Sequence, residues 1–184
     1  MNDTEAIKKC LTGEIENFGF LVKKYQCEAF GHAIAILGNF DDALDAVQEA
    51  FLDAFRTLNK FDVSRRFYPW LYIIIRNRCF KMLSIQRKAG KAKFGKLNIL
   101  SDSAEDESND KVTLVEKALL EMSPENREIL TLKHLDGLSY EIIAERLDIP
   151  VGTVMSRLYC ARKRFREKVN RIREKDDFRE TDDE

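Results

Sequence analysis

The sequence predicts an all-α protein of two small helical domains joined by a flexible linker, and three observations lead there. Among 184 residues there are only eight Gly and three Pro, fewer than sheets linked by tight turns usually need. Hydrophobic residues make up 44% of the chain and charged residues 34%, a balance that fits a soluble, helix-rich protein. Apolar residues also recur at three- and four-residue steps in two stretches, separated by a run with no such period. A solenoid would show several copies of a unit of about 20–50 residues, and none is visible.

The first stretch opens with a predicted helix over 15–38, where Ile15, Phe18, Val22, Tyr25 and Ala29 share a face. It pauses at Gly38-Asn39-Phe40. Asp41 and Asp42 then supply an N-cap and first-turn acids, and Leu44, Val47, Phe51, Ala54, Phe55 and Leu58 form one apolar stripe. A loop at about 59–68 leads to Pro69, which suits the first turn of a third helix. That helix reaches about Gln86 and buries Trp70, Leu71, Ile74, Cys79 and Leu83, leaving Arg76, Asn77 and Lys81 on a polar face.

From Arg87 to Asp110 the pattern is lost. The run RKAGKAKFGK is basic and SDSAEDESND is acidic and Ser-rich, so the segment cannot bury enough surface to offset its ordering entropy. A flexible linker of roughly 20 residues has a root-mean-square span of about 25 Å. Beyond it, Val112, Val115, Ala118, Leu119 and Met122 make a short amphipathic helix. Ser123-Pro124-Glu125 caps and starts a second, through Ile129, Leu130 and Leu135, which Gly137 closes. Ser139 caps a third, with Ile142, Ile143, Ala144 and Leu147 apolar. After the turn Asp148-Ile149-Pro150, a last helix runs from about Val151 to about Lys175, its stripe set by Val154, Leu158, Ala161, Phe165 and Val169.

Net charge is −1, yet the charge is segregated. Residues 61–96 hold ten Lys and Arg against one Asp, and residues 151–175 hold nine against two Glu. Acidic excesses fill the remainder, including 97–110 and the tail from Asp176. Two basic blocks in an acidic chain fit a protein that touches polyanions at two separated places. The final two helices strengthen that reading. Ala144 is small where they would cross, Ile149 plugs the turn, and Val154 with Leu158 packs the second helix back on the first, as in a helix-turn-helix.

Several classes are excluded. The longest apolar run, Trp70 to Ile75, is far short of the ~20 residues that span a bilayer, and the polar MNDTEAIKKC start lacks a secretory apolar stretch. A cytoplasmic protein without its own anchor is expected. Cys10, Cys27, Cys79 and Cys160 form no CxxC pair, and His32 and His134 stand alone, so neither a zinc site nor a disulfide framework is expected. No nucleophile with a base and no phosphate-cradling Gly loop is visible. Neither a cofactor nor an enzymatic activity is expected.

The run LSYEIIAERLDIPVGTVMSRLYCARKRFRE resembles the DNA-binding region four of sigma-70 family factors, and DDALDAVQEAFLDAF with FYPWLYIIIRN resembles their region two. With no long amino-terminal region and no sizeable domain between the two, the chain is similar to the extracytoplasmic-function (group four) subfamily. The resemblance implies a transcription initiation factor that brings core RNA polymerase to the −10 and −35 elements of promoters. It assigns 1–88 to a region two domain, 89–111 to the linker, 112–175 to a region four domain and 176–184 to an acidic disordered tail.

Site residues follow from the matching positions. The D-x-x-QE motif places Asp45, Gln48 and Glu49, with Asp53 on the same face, at core polymerase. The loop before "WL" and the helix after it, which in the family capture single-stranded −10 DNA, correspond to Lys60–Lys81. There Arg65, Arg66, Arg76, Arg78 and Lys81 would neutralise phosphates, and Phe61, Phe67 and Tyr68 would stack on bases. Trp70 belongs with the core, and Asn77 either reads a base edge or caps the helix packing. At the −35 duplex, Gly152, Thr153, Met155, Ser156, Tyr159 and Cys160 face base edges, while Arg157, Arg162, Lys163 and Arg166 contact phosphates. Restraint by an anti-sigma factor is also implied. The rivals are a stand-alone helix-turn-helix repressor or activator, and a helical adaptor.

Overall fold

The computed structural model describes residues 1–89 and 108–181, and it divides into two compact units. The first is built from α1 (Asp3–Leu11), α2 (Phe18–Leu37), α3 (Phe40–Arg56) and α4 (Phe67–Lys88). The second is built from α5 (Ser108–Leu120), α6 (Pro124–His134), α7 (Tyr140–Leu147) and α8 (Val151–Thr181). Among the described residues there is no strand, and the all-α expectation holds. Residues 90–107, which carry most of the expected linker, lie outside the described residues.

Helix α1 was not legible as a stripe, because it buries only Ala6, Ile7 and Cys10. What fixes it is local. Asn2 accepts from the Glu5 amide at 2.9 Å while the Glu5 carboxylate accepts from the Asn2 amide at 3.4 Å, a reciprocal cap that satisfies two orphan donors. Asp3 then ties α1 to α2, accepting from Lys24 Nζ at 2.6 Å and from the Tyr25 hydroxyl. Burial first, and the bond to Asp3 second, push the Tyr25 hydroxyl pKa up, so it stays a donor.

The expected helix over 15–38 is shorter. Residues Ile15–Asn17 form a 3-10 turn and Ile15 is exposed. Helix α2 packs on α4 through aromatic rings: Tyr25 stacks on Tyr68 with centroids 5.0 Å apart, and His32 meets Tyr72 edge-on at 5.0 Å. Helix α4 starts at Phe67, two residues before Pro69, which still sits in the first turn where its missing N–H costs no intrahelical bond. Phe61, Phe67 and Trp70 form a further ring cluster, with centroids 5.0 to 5.7 Å apart.

Helix α3 departs most from its expected stripe. Ala43, Ala46, Ala50 and Ala54 are buried with Val47 and Phe51, whereas Leu44 and Phe55 are exposed. The helix is therefore turned so that its small residues approach the core. On α4 the buried set is Phe67, Tyr68, Leu71, Tyr72, Ile75, Cys79 and Leu83; Ile74, expected inside, is only half-buried.

In the second unit, Pro124 opens α6 as expected, but Ser123 makes no side-chain cap. Gly137 takes φ +66, a left-handed turn that costs glycine little, and the chain reverses with the Leu138 amide on the Leu132 carbonyl at 3.1 Å. Leu135 lies beyond the helix and is 78% exposed, and Ile142 is also exposed. Neither joins the core as its apolar character suggested. Helix α8 buries Val154, Leu158, Ala161 and Ile172, and Phe165 and Val169 are half-buried. Its backbone stays helical to Thr181.

Because Phe67 is 1% exposed, Phe67→Ala should lower the stability of the first unit by about 3–5 kcal/mol. Arg66→Ala, on an exposed neighbour, should change it by less than about 0.5 kcal/mol. Denaturant titrations of the two variants separate a core role for Phe67 from a surface one.

Candidate functional site

Three outward faces carry the candidate residues. On α3, Asp45, Gln48 and Glu49 are exposed and Asp53 is half-buried. At about 100° per residue, Asp45, Glu49 and Asp53 form an acidic ridge opposite the buried alanines. Leu44, Leu52 and Phe55 lie between ridge and core, all more than a third exposed. This apolar flank was missed because the sequence stripe claimed its large residues for the core. The alanine spacing at 43, 46, 50 and 54 was the signal.

Arg78 of α4 reaches across to this ridge. Its guanidinium bonds Asp53 and comes within 3.4 Å of Glu49, while Arg56 also approaches Asp53 at 3.3 Å. The Arg78 guanidinium, expected at phosphates, thus lies against the carboxylates of the α3 face. A second link joins the helices where Gln86 Nε2 donates to Asp42 at 2.9 Å.

The second face spans the loop into α4. Asp62 accepts from the Ser64 amide at 3.0 Å and its hydroxyl at 2.8 Å, bonds that hold the Asp62 carboxyl below its ordinary pKa. Within this closed turn Arg65 and Arg66 are exposed. Phe61, Phe67 and Tyr68 are buried, which corrects their assignment as base-stacking surfaces: their neighbours are other rings. Further along α4, Asn77 and Lys81 are exposed. Arg76 lies over the Phe80 ring, 4.8 Å from its centroid. Trp70 is only partly buried and Ile73 is exposed, adding apolar surface beside Asn77.

The third face belongs to the helix-turn-helix. Ser139 accepts from the Ile142 amide at 3.3 Å to cap α7, and the helix ends at Asp148, with φ 53 and ψ 52. Asp is among the few side chains that enter this left-handed region readily, as its place in the turn suggested. The Ile149 amide bonds the Ala144 carbonyl at 3.0 Å and the Thr153 amide the Pro150 carbonyl at 2.9 Å, so the turn passes directly into α8.

With the α8 stripe buried, Met155, Ser156, Arg157, Tyr159, Cys160, Arg162 and Lys163 are all exposed, and Thr153 is half-buried. Two of them have intramolecular partners. Ser156 Oγ donates to the Thr153 carbonyl at 3.0 Å. Arg162 Nε donates to His134 Nε2 at 3.3 Å, which requires a neutral imidazole with its proton on Nδ1. Next to this pair, α5, α6 and α8 line an open cavity of about 590 Å³, its apolar wall formed by Val115, Leu119, Leu130, Leu135, Phe165 and Val169.

Among the described residues no cluster of His, Cys, Asp and Glu is placed to hold a metal ion, and no helix is long and apolar enough to cross a membrane. Residues 21–89 match the family model described as Sigma-70 region 2, and residues 113–165 match that described as Sigma-70, region 4. The ECF RNA polymerase sigma-E factor of Escherichia coli (strain K12) is 32% identical over 186 residues, covering 92% of this chain and 95% of its own length. The RNA polymerase sigma-H factor of Pseudomonas aeruginosa is 32% identical, covering 88% and 90%. Two solved structures share the fold. CnrH in complex with the cytosolic domain of CnrY has a TM-score of 0.66 at 21% identity, over 91% of this chain and 97% of that one. The sigma factor RpoE in complex with the anti-sigma factor NepR, from Bartonella quintana, has 0.67 at 24% identity, over 84% and 98%.

The turn geometry generates a direct test. Asp148→Gly should fold at least as stably as the parent, while Asp148→Val, forced to the same positive φ, should cost about 1–2 kcal/mol. Thermal melts of the two variants check it.

Proposed function

The chain belongs to the extracytoplasmic-function branch of the sigma-70 family and directs RNA polymerase to promoters, and on that premise we propose how its outward faces divide the work. The observation that carries the division is that both family matches fall on units whose charged faces point outward. A stand-alone regulator would leave the region 2 match without a role.

The acidic ridge of α3, Asp45, Gln48, Glu49 and Asp53, takes core polymerase. Its flank of Leu44, Leu52 and Phe55 supplies the apolar contact that charged groups alone cannot. Arg65, Arg66, Arg76, Asn77 and Lys81 take the −10 strand, the cations on phosphates and Asn77 on a base edge. Phe67 and Tyr68 hold this surface from beneath. On α8, Thr153, Met155, Ser156, Tyr159 and Cys160 face the −35 duplex, while Arg157, Arg162 and Lys163 fix the helix to its phosphates. Action is by binding alone, in the cytoplasm. One solved neighbour, the sigma factor RpoE, is in complex with the anti-sigma factor NepR; a partner of that kind restrains this chain too.

Run-off transcription with core polymerase, with and without the protein, tests the whole: specific initiation on a cognate template should require it, and none on any template would end the reading. Two narrower outcomes are expected. Asp45→Arg with Glu49→Arg should abolish core binding in a pull-down while leaving the helical circular dichroism unchanged. Lys163→Ala should weaken promoter binding evenly across sequences and reduce the salt slope by about one.

A further inference from the structure

Base-reading side chains on a recognition helix come from its first turns, so what those turns of α8 present limits what they distinguish. Val154, Leu158 and Ala161 are buried. Opposite them, Gly152, Ser156, Tyr159 and Cys160 project outward, with Met155 on one flank and Arg157 on the other. Between Val151 and Ala161 Arg157 is the one cation, and it points away from Met155. The next, Arg162, has its Nε committed to His134. Ser156 has turned its hydroxyl proton onto the Thr153 carbonyl, which leaves it an acceptor.

The most frequent specific contact in a major groove is an arginine or lysine fork on guanine O6 and N7. This surface offers no such fork at its centre. Its large exposed hydrophobic groups are Met155, 54% exposed, and Tyr159, 71% exposed. Both are apolar over most of their surface, and the apolar feature of the major groove is the thymine C5 methyl.

We propose that α8 reads the −35 duplex mainly through thymine methyl groups, contacted by Met155 and Tyr159, in place of a guanine fork. The inference rests on α8 being the −35 reader, and its test separates the two.

Full-length protein with core polymerase transcribes a promoter library randomised through the −35 element. In the best template each −35 thymine is then replaced by deoxyuridine, which differs only in lacking the methyl. Thymine should be enriched at one position or more, and deoxyuridine there should lower initiation about fourfold, the loss expected for one buried methyl-sized group. Met155→Arg should shift preference at such a position to guanine by about tenfold. Deoxyuridine without effect at every thymine would overturn the proposal while leaving the sigma activity standing. So would guanine enrichment at a position that Met155→Ala or Tyr159→Ala alters. Loss of all −35 dependence would instead remove α8 as the reader, and the proposal with it.

Discussion

Ala43, Ala46, Ala50 and Ala54 are buried on α3 together with Val47 and Phe51, and that choice of buried face decides which side chains of α3 meet solvent. A helix buries one stripe, and its functional face is what remains. Had the large residues Leu44 and Phe55 been the buried ones, Asp53 would lie further from α4 and the apolar flank would not exist. Burying alanine gains less per residue than burying leucine, at roughly 25 cal/mol per Å² of apolar area. The exposed leucines and Phe55 thus forgo stabilisation within the monomer. They recover it only when a partner covers them, which is the energetic pattern of a docking face.

Charge follows from the same geometry. Arg78 sits where α4 turns toward α3, 23% exposed at its side chain, and its pairing with Asp53 and Glu49 partly neutralises the ridge. A half-exposed pair of this kind contributes at most about 1 kcal/mol, so its importance is positional. It leaves Asp45 as the carboxylate of the ridge furthest from Arg78, and it sets Arg78 apart from Lys81, which stays exposed on α4.

Much of this was legible in the sequence. The helix-turn-helix could be read because its signals are local: a serine cap, a residue tolerant of left-handed geometry, and a stripe in steps of three and four. Val154, Leu158 and Ala161 are buried on α8 as expected, with Phe165 and Val169 only half-buried, and Met155, Ser156, Arg157, Tyr159, Cys160, Arg162 and Lys163 are exposed. The assignment failed where neighbours decide. Phe61, Phe67 and Tyr68 lie among arginines in sequence, which resembles a stacking surface, yet the ring partners Tyr25 and His32 that cover Phe67 and Tyr68 come from α2, some forty residues away. Helix α1 was invisible because three buried residues make no period, and its anchor is Asp3 meeting Tyr25. The 590 Å³ cavity of the second unit needs three helices to exist, and no single helix announces it.

The near-zero net charge takes its meaning from this division. Cations bind phosphate with little regard to sequence, so the two basic blocks give affinity, and discrimination falls to the few neutral groups between them. On α8 the large ones, Met155 and Tyr159, are apolar over most of their surface, and a methyl contact is worth less than a bidentate fork, about 0.8 against 1–3 kcal/mol. A weak duplex reader of this kind functions when it is coupled to a second. Binding at one element raises the effective concentration of the other reader at its own element, and two modest preferences then multiply. In the proposed division of faces polymerase supplies that coupling, with the acidic ridge attaching the first unit to the enzyme while the chain itself carries the second. On that proposal specificity belongs to the assembled complex, and a duplex reader that is weak by itself would leave promoters unoccupied until the enzyme is bound.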